Sequence, residues 1–229
     1  MAPAPTRKQE TRERILRTAS RALRERGYQG VGVAEVMQEA GLTHGGFYAH
    51  FESKTNLLAE ATDQAGADGL DRLARAARRR AETAAGAALK MPARASEKSR
   101  PKSAEARSSP PPPGQEALLA LVDAYLSEEH QNDPGLGCPM AALGSELPRQ
   151  ADAVRRAATH RLEDLVGLVE RQMPTWGQAG NRERAMAVLS CLVGTMVLAR
   201  AVDRPVLAAS LRQASRDFLA ERLVSPGNH

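Results

Sequence analysis

The feature that most constrains this chain is the stretch of residues 33–54, VAEVMQEAGLTHGGFYAHFESK. Apolar residues at helical spacing predict a first short helix with one buried face. These residues are Val33, Val36, Met37 and Ala40. Gly41 follows where the end of a helix favours a residue that can adopt positive φ, and Thr43 is placed to N-cap a second helix. The pattern predicts two short helices joined by a tight turn, the arrangement of a DNA-reading helix-turn-helix.

The second of these helices has an unusual composition, since it begins His44-Gly45-Gly46 and continues to Phe51. Each glycine costs a helix roughly 1 kcal/mol relative to alanine. Close approach of the backbone to another molecule is the usual reason for accepting that cost. Phe47 and Phe51 are predicted to form a small hydrophobic core, so the surface of this helix must come from its other residues.

Residues 41–58, GLTHGGFYAHFESKTNLL, resemble the recognition turn of the TetR/AcrR family of bacterial transcriptional regulators. The resemblance implies an all-α fold, with an N-terminal helix-turn-helix DNA-binding domain and a larger helical domain for ligand binding and dimerisation. By the family motif, four residues match positions that contact the DNA backbone: Thr43, Tyr48, His50 and Lys54. Gly45 allows close approach, and His44 is the candidate for a contact to a base edge.

Helices are also predicted on both sides of this turn. Thr6 to Arg26 carries an apolar stripe and stops at Gly27, while Ser53 is placed to cap a long third helix. The arginines on the outer face of the first helix form a solvated charged face in the simplest interpretation. The alternative is that those nearest the helix start, such as Arg12, reach DNA phosphates.

Composition divides the chain into segments. We predict a DNA-binding domain at 1–60, a connecting helix at 61–91, a linker at 92–114 and a second helical domain at 115–224. The linker has no aliphatic side chain larger than alanine and ends in four prolines, so it is predicted to be disordered. Such an insertion departs from the short link in the resembled family. It is basic on balance, which leaves open either an inert spacer or added non-specific DNA affinity.

The second domain is predicted to contain helices separated by strong stop signals. One runs from Leu118 to near Asn132, a short one starts after Cys138 and ends at Pro148, and a long amphipathic one covers residues 149–173. Two more follow at 181–202 and 205–224, and the first of them is apolar around nearly its whole circumference. Since such a helix must be covered on every side, we predict a homodimer through these last two helices.

The helices of the second domain are expected to enclose an apolar cavity with few polar anchors, which would bind a small effector. The candidate lining residues are Tyr125, Cys138, Met140, Trp176 and Met196, each of which is equally compatible with an ordinary core position. Cys138 precedes Pro139 at a helix start, where the helix dipole lowers a thiol pKa. It is either a reactive sensor thiol or an inert buried one.

Charge and composition set limits on function. A net charge of +5 and a pI near 9.6 permit a polyanionic partner, and two cysteines indicate no disulfide framework. No signal-peptide core follows the N-terminus, and the uncharged run 185–199 is shorter than the ~20 residues that span a bilayer. We therefore expect a soluble, cytoplasmic protein without a membrane association.

The sequence bears on four candidate functions. The favoured one is a repressor that leaves a palindromic DNA operator when a small, largely apolar effector binds. An enzyme is not expected, because the five histidines and two cysteines show no metal-ligand spacing and no nucleophile has a recognisable base. No cofactor or metal is predicted. The remaining alternatives are a thiol-based sensor acting through Cys138 and an architectural DNA-binding protein without effector.

Overall fold

The computed structural model describes residues 6–90 and 115–224. Within these residues the chain forms nine α-helices and no strand, which confirms the predicted all-α fold. The α-helices are α1 (Arg7–Arg26), α2 (Val33–Glu39), α3 (Lys54–Lys90), α4 (Gln115–Tyr125), α5 (Glu128–Asn132), α6 (Pro139–Leu143), α7 (Asp152–Gln172), α8 (Asn181–Ala201) and α9 (Pro205–Val224). Short 3-10 helices lie at His44–Ala49, Pro134–Leu136 and Leu147–Arg149. We refer to His44–Ala49 as the recognition segment.

Helix α1 begins and ends where the sequence predicts. The backbone N–H of Thr6 donates to Gln9 Oε1 at 2.7 Å, and the N–H of Gln9 donates to Thr6 Oγ1 at 3.3 Å. This reciprocal pair satisfies donors that a helix start otherwise leaves unpaired. At the other end Gly27 adopts a φ of +73° and stops the helix.

One hydrophobic core joins α1, α2, the recognition segment and the first turns of α3. Its most deeply buried large side chains are Ile15, Leu23, Met37, Phe47, Phe51 and Leu57. The predicted cap of α3 is present, because Ser53 Oγ accepts a hydrogen bond from the N–H of Asn56 at 3.1 Å. The turn between α2 and the recognition segment contains Gly41 at φ +70°, as predicted. This core holds the helix-turn-helix as one unit.

A second core lies between α4, α6, α7, α8 and α9 and the rear half of α3. Leu118, Leu121, Val169, Leu189 and Leu192 are almost fully buried within it. Helix α3 contributes to both cores, through Leu57 and Leu58 to the first and through Ala77 to the second. A helix of 37 residues is about 55 Å long, so α3 is a continuous rod that connects the two cores.

The predicted helix from Leu118 to near Asn132 is wrong as a single element. Helix α4 ends at Tyr125, and Ser127 starts the separate helix α5 by accepting a hydrogen bond from the N–H of His130 at 3.2 Å. The capping serine interrupts an otherwise continuous pattern, because its side chain offers the backbone a local alternative to the helix.

Two predicted boundaries around Pro148 also need correction. Helix α6 ends at Leu143, while Pro148 lies within a 3-10 helix. Helix α7 begins at Asp152 and not at Arg149, because Gln150 and Ala151 have extended backbone conformations with ψ near 159° and 151°. The following helices match more closely, since α8 begins at Asn181 and α9 covers the predicted range.

The domain boundaries remain a prediction. The proposed division between residues 60 and 61 falls inside α3, which continues without a break. The predicted linker at 92–114 lies outside the described residues.

Helix α8 is only partly covered. Val188, Leu189, Leu192 and Met196 are buried, whereas Met186, Val197 and Leu198 on the same helix are exposed. Its neighbour α9 exposes Val206 and Phe218 as well. By length and composition α8 would also pass for a membrane span, and within the described residues it packs between α7 and α9 with part of its surface exposed.

Candidate nucleic-acid interface and internal cavity

Two phenylalanine rings attach the recognition segment to the rest of the helix-turn-helix. Phe47 and Phe51 are buried and stacked, with ring centroids 5.7 Å apart. Their predicted core role is confirmed. Tyr48 contacts Phe47 edge-to-face at 5.2 Å yet is 73% exposed. The packing therefore fixes the backbone and leaves the tyrosine ring at the surface.

The predicted DNA-contact residues form an exposed group at this end of the molecule. Thr43, His44, Gly45, Tyr48 and Lys54 are exposed, and His50 is half-buried. The Nδ1 atom of His50 is buried and has no hydrogen-bond partner in the part of the chain that the structure describes. Contact of these residues with DNA stays a prediction.

The predicted capping role of Thr43 is wrong. Its side chain makes no capping hydrogen bond, and its carbonyl oxygen instead accepts from the N–H of Gly46 at 3.1 Å. The segment that follows is a 3-10 helix, whose tighter turn uses the carbonyl three residues back. The exposed threonine hydroxyl therefore does not cap the start of this helix.

Neither glycine of the recognition segment is required by the fold itself. Both lack a positive φ, and a Cβ on Gly45 would meet no atom within 4 Å. A Cβ on Gly46 would make only ordinary contacts, the nearest being Met37 Cε at 3.7 Å. The described chain therefore gives no steric reason for either glycine, and close approach of this backbone to DNA stays a prediction.

Arg12 holds the recognition segment against α1 and α3, a role that the sequence does not reveal. Its guanidinium donates from Nε to the carbonyl of His50 at 3.3 Å and pairs with Glu60 at 2.6 Å. It also lies over the ring of Phe51, with 4.7 Å from Cζ to the centroid. Arg12 is thus committed to internal contacts, which favours the structural interpretation over a phosphate contact for this arginine.

A cavity of about 440 Å³ lies between α3, α4, α7 and the segment that joins α5 to α6. That segment, residues 133–138, is called the 133–138 loop below. The apolar lining residues include Leu70, Leu73, Leu136, Met140 and Leu165. The charged ones are Arg72, Arg79, Arg80, Arg161, Glu129 and Asp133. The expectation of few polar anchors is therefore wrong, since six charged side chains border the cavity, but its lining is otherwise largely apolar as predicted.

Three of the five predicted lining residues border this cavity, namely Tyr125, Cys138 and Met140. Trp176 and Met196 do not. Trp176 is 57% exposed in the connection between α7 and α8, and Met196 is fully buried in the second core. Ligand binding by any of them stays a prediction.

His130 organises the cavity wall. The backbone N–H of Cys138 donates to its Nε2 at 3.0 Å, so Nδ1 carries the proton and donates to the carbonyl of Tyr125 at 2.6 Å. Burial, and then the nearby Arg200 charge, lower the pKa of His130 to about 4. A neutral imidazole therefore joins the end of α4 to the 133–138 loop.

Cys138 and Tyr125 meet on the same wall. Burial, followed by the neighbouring Cys138 thiol, raises the pKa of Tyr125 well above its usual value. The phenol oxygen is inaccessible to water and makes no hydrogen bond with good geometry to any described residue. Cys138 itself is 7% exposed and N-caps α6 without a side-chain capping bond.

Arg24 connects the cavity wall to the helix-turn-helix. This buried arginine of α1 donates from Nε to the carbonyl of Gly135 at 2.7 Å and from Nη1 to the carbonyl of Ala65 at 2.9 Å. Burial lowers the pKa of Arg24. The packing is close, since a Cβ on Gly135 would lie 2.4 Å from Glu25 Oε1. One wall of the cavity is thereby bonded directly to α1.

A second connection lies after the end of α1. The backbone N–H of Tyr28 donates to Glu146 Oε2 at 2.9 Å, and the Tyr28 hydroxyl shares a hydrogen bond of 2.8 Å with Thr62 on α3. Burial is the main reason that the pKa of Tyr28 is raised to about 12. The segment after α6 is consequently tied to the end of the same helix that holds the 133–138 loop.

Comparison with known proteins gives a match to a family and a match to a relative of similar length. The family described as bacterial regulatory proteins, tetR family, matches residues 15–61. A HTH-type transcriptional regulator of Mycobacterium tuberculosis, itself uncharacterized, is 30% identical over 226 residues, which cover 93% of this chain and 96% of the relative. This chain belongs to the TetR family. Like its TetR-family relatives it is a transcriptional regulator and not an enzyme.

Solved structures share the TetR-family fold. The reduced form of E. coli NemR has a TM-score of 0.67 at 15% identity, covering 96% of this chain and 100% of the other. SCO4454, a TetR-family regulator from Streptomyces coelicolor, has a TM-score of 0.60 at 21% identity, covering 94% and 97%. TetR-family regulators bind DNA as homodimers and often bind small-molecule effectors. In this chain the features to compare with DNA binding, effector binding and dimerisation are the exposed recognition segment, the cavity, and the uncovered face of α8 and α9, respectively.

Proposed function

We propose that this TetR-family regulator is a repressor that leaves a palindromic operator when a small effector occupies the cavity. The observation that carries the proposal is the double role of the 133–138 loop. It lines the cavity through Asp133, Leu136 and Cys138, and its Gly135 carbonyl accepts a hydrogen bond from Arg24 of α1. An effector that moves this loop acts on the helix-turn-helix without any intermediate element.

On the DNA side, the recognition segment enters the major groove with Gly45 at the closest approach. Thr43, Tyr48, His50 and Lys54 contact phosphates, which fix position, and His44 reads a base edge. The open space around Gly45 supports this arrangement. Arg12 is assigned to holding the segment in place and not to the DNA.

The operator is read by two copies of the chain, since two half-sites one helical turn or a multiple apart give the affinity that one helix-turn-helix lacks. We place the dimer interface on α8 and α9. Large apolar side chains are exposed there, including Leu198 at 54% and Phe218 at 52%. This interface fixes the distance between two recognition segments. The protein acts in the cytoplasm, where bacterial DNA is accessible.

Release follows from linkage between the two sites. An effector that prefers the dimer with its recognition segments spread apart weakens DNA binding by the factor by which DNA weakens effector binding, typically about 1–3 kcal/mol. The bonds from Arg24 to Gly135 and from Tyr28 to Glu146 tie the segments on the two sides of α6 to the end of α1 and the residues after it. Such a design favours an effector-controlled regulator over an architectural protein without effector.

Footprinting on the DNA upstream of the chain's own gene tests this function. A repressor protects one palindromic site, and the protection is lost when an effector is added. Weak protection spread along the fragment, with a steep salt dependence and no ligand response, would instead identify an architectural protein.

A thiol-based sensor is the second candidate, favoured by the position of Cys138. Cys138 lines the cavity, and its thiol lies beside the Tyr125 hydroxyl. A soft electrophile in the cavity would be attacked by the thiolate, forming a carbon–sulfur bond while the thiol proton leaves to solvent or to the electrophile. Maleimide labelling of a Cys191→Ala variant isolates Cys138 for this test. No labelling over hours, together with full inducibility of Cys138→Ala, contradicts the thiol mechanism and leaves the non-covalent one intact.

A further inference from the structure

The arginines of α3 differ according to whether they face the cavity. Arg75 and Arg78, which are not part of the lining, pair with carboxylates one turn away, Asp71 and Glu82. Arg72 and Arg79 line the cavity, and neither pairs with a carboxylate among residues 6–90 and 115–224. Within the described residues, two arginine charges at this cavity are therefore left without a carboxylate partner.

The other two cavity arginines are already occupied. Arg161 donates to both oxygens of Asp63 at 2.8 and 2.6 Å and to Asp164 at 2.9 Å. Arg80 lies 3.4 Å from Glu129. Since both of these guanidinium groups have a carboxylate partner among the described residues, Arg72 and Arg79 are the cavity arginines without one.

Position on the helix allows Arg72 and Arg79 to act on one ligand. They are seven residues apart, which is two turns or about 10 Å along α3, and both are exposed. Leu73 and Ala76 lie between them in sequence and also line the cavity. The two charges thus stand at the solvent side of an apolar surface.

The carboxylates of the lining do not favour a cation. Asp133 Oδ1 accepts a hydrogen bond from the N–H of Leu136 at 3.2 Å, and Glu129 pairs with Arg80. The inner surface is formed by aliphatic side chains such as Leu70, Met140 and Leu165. A volume of about 440 Å³ suits a small organic molecule.

We propose that the effector is an amphipathic organic anion, whose apolar body lies against the leucines of α3 and α7 and whose acidic group is bound by Arg72 and Arg79. This inference rests on the proposed effector-controlled function and specifies the chemistry of its ligand. Guanidinium groups form paired, charge-assisted hydrogen bonds with carboxylates, which neutral isosteres do not match.

The test compares matched probes on the full chain near neutral pH. Decanoate and 2-naphthoate are compared with decanamide and 2-naphthamide by calorimetric titration. The carboxylates are expected to bind at least about tenfold more tightly than the amides, which is 1.4 kcal/mol. Equal binding of acid and amide, or no binding of either carboxylate at millimolar concentration, overturns the proposal.

Variants locate the anion site. In Arg72→Gln/Arg79→Gln, carboxylate affinity falls at least about tenfold while amide affinity is unchanged. The matched control Arg75→Gln/Arg78→Gln removes the same charge from the same helix outside the cavity and leaves both affinities within about twofold. An equal loss in both double variants means that long-range charge and not a site is responsible, which overturns the assignment.

Operator binding by the ligand-free protein is measured in the same samples. If the protein protects no DNA site, the proposed function fails whatever the probes do. If it protects an operator but does not distinguish acid from amide, only the anion assignment fails.

Discussion

The Nε–H of Arg24 donates to the carbonyl oxygen of Gly135 at 2.7 Å, across 111 positions of sequence. The same guanidinium also bonds to the Ala65 carbonyl on α3, so one buried charge joins α1, α3 and the 133–138 loop. A buried charge is costly unless it is hydrogen-bonded. Movement of the loop away from Arg24 is therefore opposed by the cost of removing one of the two hydrogen bonds that this buried guanidinium makes.

Arg24→Met tests this connection. The variant removes the buried charge but leaves the carbonyls of Gly135 and Ala65 unpaired, and we expect a loss of about 1–3 kcal/mol in the free energy of unfolding. Hydrogen exchange at the amides of the 133–138 loop should accelerate more than exchange in α8. Arg17→Met, an exposed change on the same helix, is the control and should alter neither quantity. Unchanged protection of the loop in Arg24→Met would show that Arg24 does not hold it.

Gly45→Ala separates DNA binding from stability. A Cβ at position 45 has open space, and alanine favours a helix over glycine by up to about 1 kcal/mol, so the free energy of unfolding should stay level or rise. Affinity for the operator should nevertheless fall at least about tenfold, or 1.4 kcal/mol, because the methyl group keeps the backbone from the DNA.

Gly41→Ala is the matched comparison, because Gly41 lies in the same turn at φ +70°. Alanine in that conformation is strained by about 1–2 kcal/mol, so this variant should lose stability. Urea titrations should therefore separate the two variants, with only Gly41→Ala destabilised. Full operator affinity in Gly45→Ala would contradict the close approach of the backbone at position 45 to DNA.

Salt dependence distinguishes Arg12 from Lys54. If Lys54 neutralises one DNA phosphate, Lys54→Gln reduces the slope of log affinity against log salt by about 0.9. Arg12 is bound to His50, Phe51 and Glu60, so Arg12→Gln should lower affinity and stability but keep the slope. A slope reduced by Arg12→Gln would show that this arginine binds a phosphate after all.

The sequence predicts the parts of this fold that depend on local chemistry. The ends at Gly27 and Gly41 and the cap at Ser53 each follow from one residue and its neighbours. Burial of Phe47 and Phe51 follows from pattern in the same way. The prediction fails where a break has no strong local signal, as at Ser127, where the apolar pattern favours a continuous helix.

Long-range contacts are not predictable from one sequence. Arg12 belongs to a row of arginines that are alike in sequence, and only folding brings Glu60 to it. The charged side chains at the cavity are not predicted for a related reason. Arg72 and Arg79 lie in the part of α3 where the apolar periodicity is weak, so the sequence does not show which side of the helix faces the cavity. Trp176 is a candidate for the lining by its size, yet the loop that carries it stays at the surface.

His130 should make stability sensitive to moderate acid. Its pKa in the folded protein is about 4, below the value near 6.5 expected for the unfolded chain. As the pH falls below 6.5, His130 therefore binds a proton in the unfolded chain before it does so in the folded protein. The free energy of unfolding consequently falls by about 2 kcal/mol by pH 5. Above pH 6.5 the imidazole is mainly neutral in both states, so this loss of stability is absent there.

Urea titrations of the wild type and His130→Gln at pH 7.5 and pH 5 measure this effect. The variant lacks the proton-linked penalty, so the difference in free energy between the two proteins should shrink toward pH 5. A constant difference for His130→Gln would mean that the imidazole titrates normally.

The dimer interface is tested by placing charge on the uncovered faces of α8 and α9. Leu198 and Phe218 are large, apolar and exposed, and a carboxylate buried at either position against a partner costs several kcal/mol. Leu198→Glu and Phe218→Glu should therefore raise the dimer dissociation constant at least about hundredfold, or 2.7 kcal/mol, in sedimentation equilibrium. Operator affinity should fall with it, because two linked recognition segments are needed. Trp176→Glu changes an equally exposed apolar residue between α7 and α8 and should leave the dimer intact. A wild-type monomer at micromolar concentration, or dissociation by Trp176→Glu alone, would contradict this interface.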